Sequence, residues 1–385
     1  MHQYRNFIGG TWRDASSLER LERYSPSDGE LISIVESSSE TDVREAAFAA
    51  REALDKQEWA FQPRKRSIAL HRWARRIRSR QEELARLLAL EAGKPIREAR
   101  GELAAAVNYL EYYAGAARTL YGSSTAVHSL SYSILAREPV GVVAVIVPWN
   151  FPITLMMRAL APALAAGNAA IVKPAEYTSA VTMACIELAA DIEELPPGIL
   201  NAVTGIGSLA GMQLVRDPGV EMVSFTGGSV TGKTIMAEAA QTMKKLSLEL
   251  GGKSAHILFD DADLDKALPF ALNGIFANAG QLCTVGSRLL VQERIYDQAV
   301  ERLKEMAERL RAGHVLDELA ELGPVAADKQ LRSVMRYIEA GKREGELITG
   351  GVRLTDGELG RGFYVAPTIF AGLPNHSPGV QEEIF

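Results

Sequence analysis

At 385 residues the chain has room for two domains of ordinary size, and 47% hydrophobic with 23% charged residues is the balance of a globular protein with a sizeable core. A formal charge of −6 argues against a general nucleic-acid or anionic-membrane role, since both need a basic surface, and leaves small metabolites as the expected partners. Two cysteines, Cys185 and Cys283, cannot build a disulfide framework, and MHQYRNFIGG lacks the basic stretch and apolar run of a secretory signal, so a reducing cytoplasmic location is expected.

Residues 41–120 read as helical, rich in alanine and charge, with apolar residues returning every three or four positions. Residues 64–80 hold eight lysines and arginines, but Ile68, Trp73 and Ile77 recur among them at helical spacing. The basic residues are therefore expected on a solvated helix face. Residues 128–135 alternate polar with apolar, as a strand of a protruding hairpin would. The uncharged run 139–157 is broken by Pro148-Trp149-Asn150-Phe151-Pro152, which speaks against a membrane-spanning helix and for a buried strand, a sharp turn and a helix.

Strand and helix signals then alternate, with strands at 140–147, 169–172, 199–203, 220–225 and 246–250 and helices starting at Thr154, Ser179, Ser208 and Val230. Such alternation predicts an α/β fold, a parallel sheet with helices on both faces. A second βα-rich region follows Ala255, with strands at 256–259 and 288–291 and a charged helix at 297–311. The boundary is expected near Gly251-Gly252, where two glycines permit unusual backbone angles.

Three segments have the chemistry of anion or ribose sites. Gly205 to Gly211 resembles a dinucleotide glycine loop, but its last glycine comes one position late and Glu221 opens the next strand instead of ending it. Gly227-Gly228-Ser229-Val230-Thr231-Gly232-Lys233-Thr234 fits the phosphate-loop pattern, and Ile257 to Asp261 imitates an apolar strand ending in a magnesium-binding aspartate. A nucleotide triphosphatase is thus a competing reading, although only one strand fits between the two motifs. In either case glycines before a helix offer unpaired N–H groups and a positive dipole end to an anion. Third, Lys173-Pro174-Ala175-Glu176 follows a strand, at the carboxyl edge where α/β sheets bind ligands. Its ammonium and carboxylate can meet the two hydroxyls of an adenosine ribose, and the carboxylate would repel a 2′-phosphate; a surface salt-bridging turn is the alternative.

Cys283 lies in the polar, glycine-containing stretch Asn278 to Thr284, where an accessible thiol would be placed, a structural cysteine being the alternative, whereas Cys185 sits among apolar helix residues and reads as structural. Glu249, between Leu248 and Leu250, is a carboxylate in an apolar neighbourhood whose burial would raise its pKa toward that of a general base; a solvent-facing strand glutamate is the alternative. Asn150, held between prolines, is either an oxyanion donor or the cap of the following helix.

In order and spacing these residues resemble the aldehyde dehydrogenase superfamily over nearly the whole chain. The resemblance rests on Pro148-Trp149-Asn150-Phe151-Pro152, Lys173-Pro174-Ala175-Glu176, Phe225-Thr226-Gly227-Gly228, Leu248-Glu249-Leu250-Gly251-Gly252-Lys253, Gly280-Gln281-Leu282-Cys283 and Glu382-Glu383-Ile384-Phe385. It implies an NAD-dependent enzyme with Cys283 as nucleophile, Glu249 as general base and Asn150 with the Cys283 N–H as oxyanion hole. Trp149, Lys173, Glu176, Gly227, Gly228, Glu383 and Phe385 would contact the cofactor, Lys233 would have no catalytic role, and no metal would be needed.

The implied fold is a Rossmann-type dinucleotide-binding domain (1–120 and 140–251), an oligomerisation hairpin (121–139) and an α/β catalytic domain (252–385). It also implies a homodimer or homotetramer, with no membrane or nucleic-acid partner. The implied reaction passes from a cysteine thiohemiacetal to a thioester that water, activated by glutamate, hydrolyses. Arg158, following Phe151 and Leu155, hints at an anionic or polar aldehyde. Gly228 and Ala159 depart from the serine and lysine common in the family, positions that bear on one cofactor contact and one proton-relay group. Family members continue beyond the motif at Phe385, so the chain is expected to be C-terminally truncated. A non-catalytic relative that retains cofactor affinity without turnover is the further alternative.

Overall fold

The computed structural model describes residues 2–56 and 58–385, which divide into two compact units. The first gathers Met1–Arg23, Ser33–Leu84 and Arg100–Glu249 around a seven-stranded sheet. Its strand order is Lys245–Leu250, Met222–Gly227, Val142–Ile146, Ala169–Lys173, Leu200–Ala202, Asn6–Ile8 and Thr11–Arg13. Val142–Ile146 pairs in parallel with both Ala169–Lys173 and Met222–Gly227, and Ala169–Lys173 pairs in parallel with Leu200–Ala202. The two central strands are buried at every position, which is why they read as unbroken apolar runs and not as an alternation.

From Val142–Ile146 the chain lays strands outward through Ala169–Lys173 to Leu200–Ala202, then crosses back to place Met222–Gly227 on the other flank. This reversal makes the carboxyl ends of Val142–Ile146 and Met222–Gly227 a topological switch point, the place where open α/β sheets bind ligands. Pro148-Trp149-Asn150 and Gly227-Gly228 follow from those two strand ends. The sheet is completed by Asn6–Ile8, antiparallel to Leu200–Ala202, and by its hairpin partner Thr11–Arg13. These strands are three residues long, too short for alternation to be legible in the sequence.

The helices expected within 41–120 are Glu40–Lys56, Pro63–Ser79, Gln81–Ala92 and Ile96–Ala116. In Pro63–Ser79 the basic residues are largely a solvated face, where Arg72 pairs with Glu194 at 2.6 Å and Arg78 with Glu111 at 2.8 Å. Arg66 is the exception to that expectation. Its buried guanidinium donates to the carbonyls of Ala165 at 2.8 Å, Trp59 at 2.8 Å and Ala60 at 2.7 Å, so it closes the end of helix Pro152–Ala165. Burial lowers its pKa. A hairpin, Ser123–His128 with Ser131–Leu135, is exposed along both strands; the alternation read at 128–135 is its turn and second strand.

The second unit gathers Tyr24–Ile32, Ala85–Ala99 and Leu250–Phe385. Its start at Leu250 lies beside the expected glycine pair, but it also takes in residues 24–32 and 85–99, which a reading in chain order assigns to 1–120. Tyr364 and Ser27 share a buried hydroxyl hydrogen bond of 2.5 Å, and His314 Nε2 meets Asp28 at 2.9 Å. Ala255–Leu258 and Arg288–Val291 pair in parallel. Helices Leu264–Phe276 and Tyr296–Glu308 share a core with that pair through Leu258, Leu268, Leu272 and Leu303. Asp263 caps the first of these helices by accepting the Asp265 N–H. Among the described residues no helix is long and apolar enough to cross a membrane.

Candidate active site

In the first unit the candidate residues collect along the carboxyl edge of the parallel strands. Asn150 is 4% exposed and sits two residues before helix Pro152–Ala165. It is not that helix's cap, because Phe151 occupies the cap position and makes no side-chain cap bond. Glu102, buried in helix Ile96–Ala116, supplies the missing acceptor: its Oε1 takes the Ile153 N–H at 2.9 Å and the Thr154 N–H at 3.3 Å, and its carbonyl takes the Thr154 hydroxyl at 3.0 Å. A carboxylate at the positive end of the helix locks the turn that carries Asn150. Glu102→Ala is expected to cost about 2–3 kcal/mol by stranding these donors, measured as a shift in denaturant midpoint. No sequence signal links residues 51 positions apart.

Lys173 ends the central strand Ala169–Lys173, its side chain only 2% exposed, and its ammonium lies 3.7 Å from the Glu176 carboxylate. Burial pulls the Lys173 pKa down against the opposing pull of Glu176. The same carboxylate accepts the Gly207 N–H. The first glycine loop is thereby turned to a local task, since the amide of its second glycine is spent on Glu176. Trp149 packs edge-on against Tyr177, with ring centroids 6.4 Å apart.

Gly228 is the N-cap of helix Ser229–Ala239, and a side chain built on it would meet nothing within 4 Å, so open space faces the helix start. On Gly227 a Cβ would come within 2.6 Å of the Phe225 ring, which demands glycine there. The phosphate-loop reading fails on this geometry. Residues 229–234 are already helical, Lys233 is exposed, and the Thr234 hydroxyl donates to the Val230 carbonyl at 3.1 Å. A phosphate loop must instead wrap those residues around the anion. Its would-be magnesium partner Asp260 lies in the other unit and pairs with Arg294 at 2.9 Å.

Glu249, next to last in strand Lys245–Leu250, has a side chain 58% exposed. This corrects the expectation that Leu248 and Leu250 bury it: alternation along the strand turns it to the opposite side. It faces Arg158, whose guanidinium lies 3.6 Å from the carboxylate and 3.4 Å from the Thr226 hydroxyl.

The second unit holds Cys283, which is partly exposed, whereas Cys185 is fully buried in helix Ser179–Glu187 and burial drives its thiol pKa up. The approach to Cys283 is unusual. After helix Leu264–Phe276, Asn278 (φ 50°), Ala279 (φ 55°) and Gly280 (φ 79°) are successive left-handed residues. Such a conformation costs about 1–2 kcal/mol for an L-residue other than asparagine or glycine, and residues held this way cluster at functional sites.

Asn278 and Gln281 are buried and bonded to one another: Gln281 Nε2 donates to the Asn278 carbonyl at 2.9 Å, and Asn278 Nδ2 donates to the Gln281 carbonyl at 3.3 Å. Glu383 rests against Gly251. Burial raises the Glu383 pKa, opposed by the Gly252 N–H and Lys253. The carbonyl of Phe385 accepts from the Gln330 amide. Lys253, Phe276, Val285, Phe370, Glu383 and Phe385 belong to the lining of a largely apolar cavity of about 310 Å³.

The chain matches the aldehyde dehydrogenase family over residues 12–385. It belongs to that family. An NAD-dependent aldehyde dehydrogenase from Sinorhizobium meliloti is 39% identical and superposes with a TM-score of 0.95, covering 100% of this chain and 76% of its own. An aldehyde dehydrogenase from Bacillus cereus, solved as its NAD+ complex, is 35% identical at a TM-score of 0.96, covering 100% and 78%. Betaine aldehyde dehydrogenase from Staphylococcus aureus, solved with NAD+, is 34% identical at a TM-score of 0.96, covering 99% and 76%. The protein is thus an oxidoreductase with the aldehyde dehydrogenase fold, acting on aldehydes. In this aldehyde dehydrogenase Asn150, Lys173, Glu176, Gly227, Gly228 and Glu249 fall in the first unit and Cys283, Glu383 and Phe385 in the second.

Proposed function

We propose that this aldehyde dehydrogenase oxidises an aldehyde to its carboxylic acid with NAD as hydride acceptor, Cys283 forming the covalent intermediate and Glu249 activating water. The observation that carries the reading is the convergence of buried Asn150, buried Lys173 and the open helix start at Gly228 on the carboxyl edge of the parallel strands of one sheet.

The residues fit the cofactor. An N-terminal helix end beside open space suits a pyrophosphate, and Lys173 with Glu176 suits two ribose hydroxyls. Bound NAD supplies the acceptor for the hydride. Cys283 Sγ attacks the aldehyde carbon and the carbonyl oxygen becomes an oxyanion, stabilised by the Asn150 amide and the Cys283 N–H. Loss of hydride from that carbon leaves a thioester on Cys283. Glu249 takes a proton from water, which attacks the thioester carbon, and the acid departs as the thiolate returns. The exposed hairpin, with Leu130 94% and Ile134 77% exposed, serves as a subunit contact in a homo-oligomer, checked by light scattering.

A panel of aldehydes followed by NADH absorbance tests the reading. Turnover of at least one aldehyde is expected, and ATP hydrolysis in its place would overturn the assignment. With Glu176 beside the ribose hydroxyls, kcat/KM with NAD is expected to exceed that with NADP, because a 2′-phosphate would meet like charge in a partly desolvated site. Glu176→Gln is expected to narrow the gap by about tenfold, one hydrogen-bonded charge being worth that much. Equal kcat/KM for the two cofactors in the unaltered enzyme would mean that the carboxylate does not read the ribose.

A further inference from the structure

The left-handed turn before Cys283 needs an explanation, because Ala279 at φ 55° sits where L-residues are disfavoured. Hydrogen bonds between Asn278 and Gln281 travel with the turn and cannot alone hold it against its surroundings. Two bonds tie it to other segments of the second unit. Glu98, in the first turn of helix Ile96–Ala116, accepts the Asn278 N–H at 2.9 Å across 180 positions of sequence. Gln281 Oε1, fully buried, accepts the Ala326 N–H at 2.9 Å. Of the two, the Glu98 bond acts directly on the first left-handed residue, and its acceptor is a carboxylate, the stronger kind.

We propose that Glu98 is a positioning residue for the nucleophile: by holding the Asn278 N–H it keeps the strained turn Asn278–Gly280 in the geometry that presents Cys283. The proposal rests on Cys283 being the nucleophile. Glu98 touches the backbone at Asn278, five residues before Cys283, and never the reacting atoms themselves, so its influence runs through the chain direction into Cys283. A misaimed thiol loses near-attack geometry, and displacements of about 1 Å are enough to slow an attack on the order of 100-fold.

The test uses the full chain with NAD and the best aldehyde from the panel, comparing Glu98→Ala, Glu98→Gln, Ala279→Gly and the Glu98→Ala/Ala279→Gly pair. Glu98→Ala is expected to slow the first-turnover appearance of NADH by about 10- to 100-fold. Glu98→Gln, which keeps an acceptor oxygen, should restore most of that rate. Glycine adopts the left-handed conformation without strain, so in the Ala279→Gly background the loss from Glu98→Ala should shrink by about fivefold.

Equal losses in the two backgrounds, or an unchanged first turnover in Glu98→Ala, would overturn the proposal. A Gln variant as slow as the Ala variant would overturn it as well. If Glu98→Ala does not fold, Glu98→Gln against the unaltered enzyme and the double variant against Ala279→Gly still decide. Alkylation of Cys283 in the unaltered protein separates the two readings. Retained turnover after complete modification removes the nucleophile assignment itself, whereas an inert alkylated enzyme with unaffected Glu98 variants removes only the role of Glu98.

Discussion

Replacing Cys283 by alanine is expected to lower oxidation of every aldehyde by on the order of 10⁴-fold or more, the scale seen when a covalent nucleophile is deleted. The loss should be independent of the aldehyde, because the variant removes the covalent step and not a substrate contact. NAD affinity should persist, since the residues assigned to the ribose and pyrophosphate, Lys173, Glu176, Gly227 and Gly228, belong to the other compact unit. Cys185→Ala is the matched control: its sulfur is fully buried and its thiol pKa is driven up by burial, so it offers no thiolate. Isothermal titration with NAD and a steady-state assay on both variants decide the matter. Substantial turnover by the Cys283 variant would sink the thioester mechanism.

Glu249→Gln should separate the two half-reactions. NADH is formed before water is needed, so this variant is expected to release about one equivalent of NADH per active site and then stall, with steady-state turnover down by roughly 10²–10⁴-fold, the usual worth of a general base. Rapid mixing reads the burst, and intact-protein mass spectrometry of the stalled enzyme should find the acyl group on Cys283. A slow, linear time course without a burst would place Glu249 before acylation instead. Arg158 supplies a second reading of the same site: the ion pair at 3.6 Å gives the Glu249 carboxylate a partner, and glutamine at 249 would give it up. A change of burst amplitude in Arg158→Met would therefore report on how that pair holds the base.

Much of the candidate site is legible in the sequence, because its residue types are tied to sharp local events in the chain. Pro148 and Pro152 bracket Asn150 at the end of an apolar run, Lys173-Pro174 stops the next strand, and Gly227-Gly228 opens a helix. Each of these is a short-range backbone constraint and leaves a mark in the order of residues. Phosphate-loop spacing in residues 227–234 was the false signal, since the spacing alone does not say whether those residues wrap an anion or run helical. They run helical from Ser229.

What the sequence by itself determined is the class of fold, the family and the identity of the candidate chemical groups, since all three follow from periodicity and from motifs confined to a few neighbouring residues. Tertiary structure alone decided which groups brace them. Glu102 at the start of helix Pro152–Ala165, Glu98 on the Asn278 N–H and Arg66 on three carbonyls are single side chains reaching 51, 180 and up to 99 positions along the chain. It alone decided, too, that Glu249 points toward Arg158 and solvent instead of into apolar surroundings, and that residues 24–32 and 85–99 join the second unit. The physical reason is the same throughout: periodicity and turn chemistry are encoded within a few residues, whereas the partner of a buried donor is whichever acceptor the folded backbone carries to it.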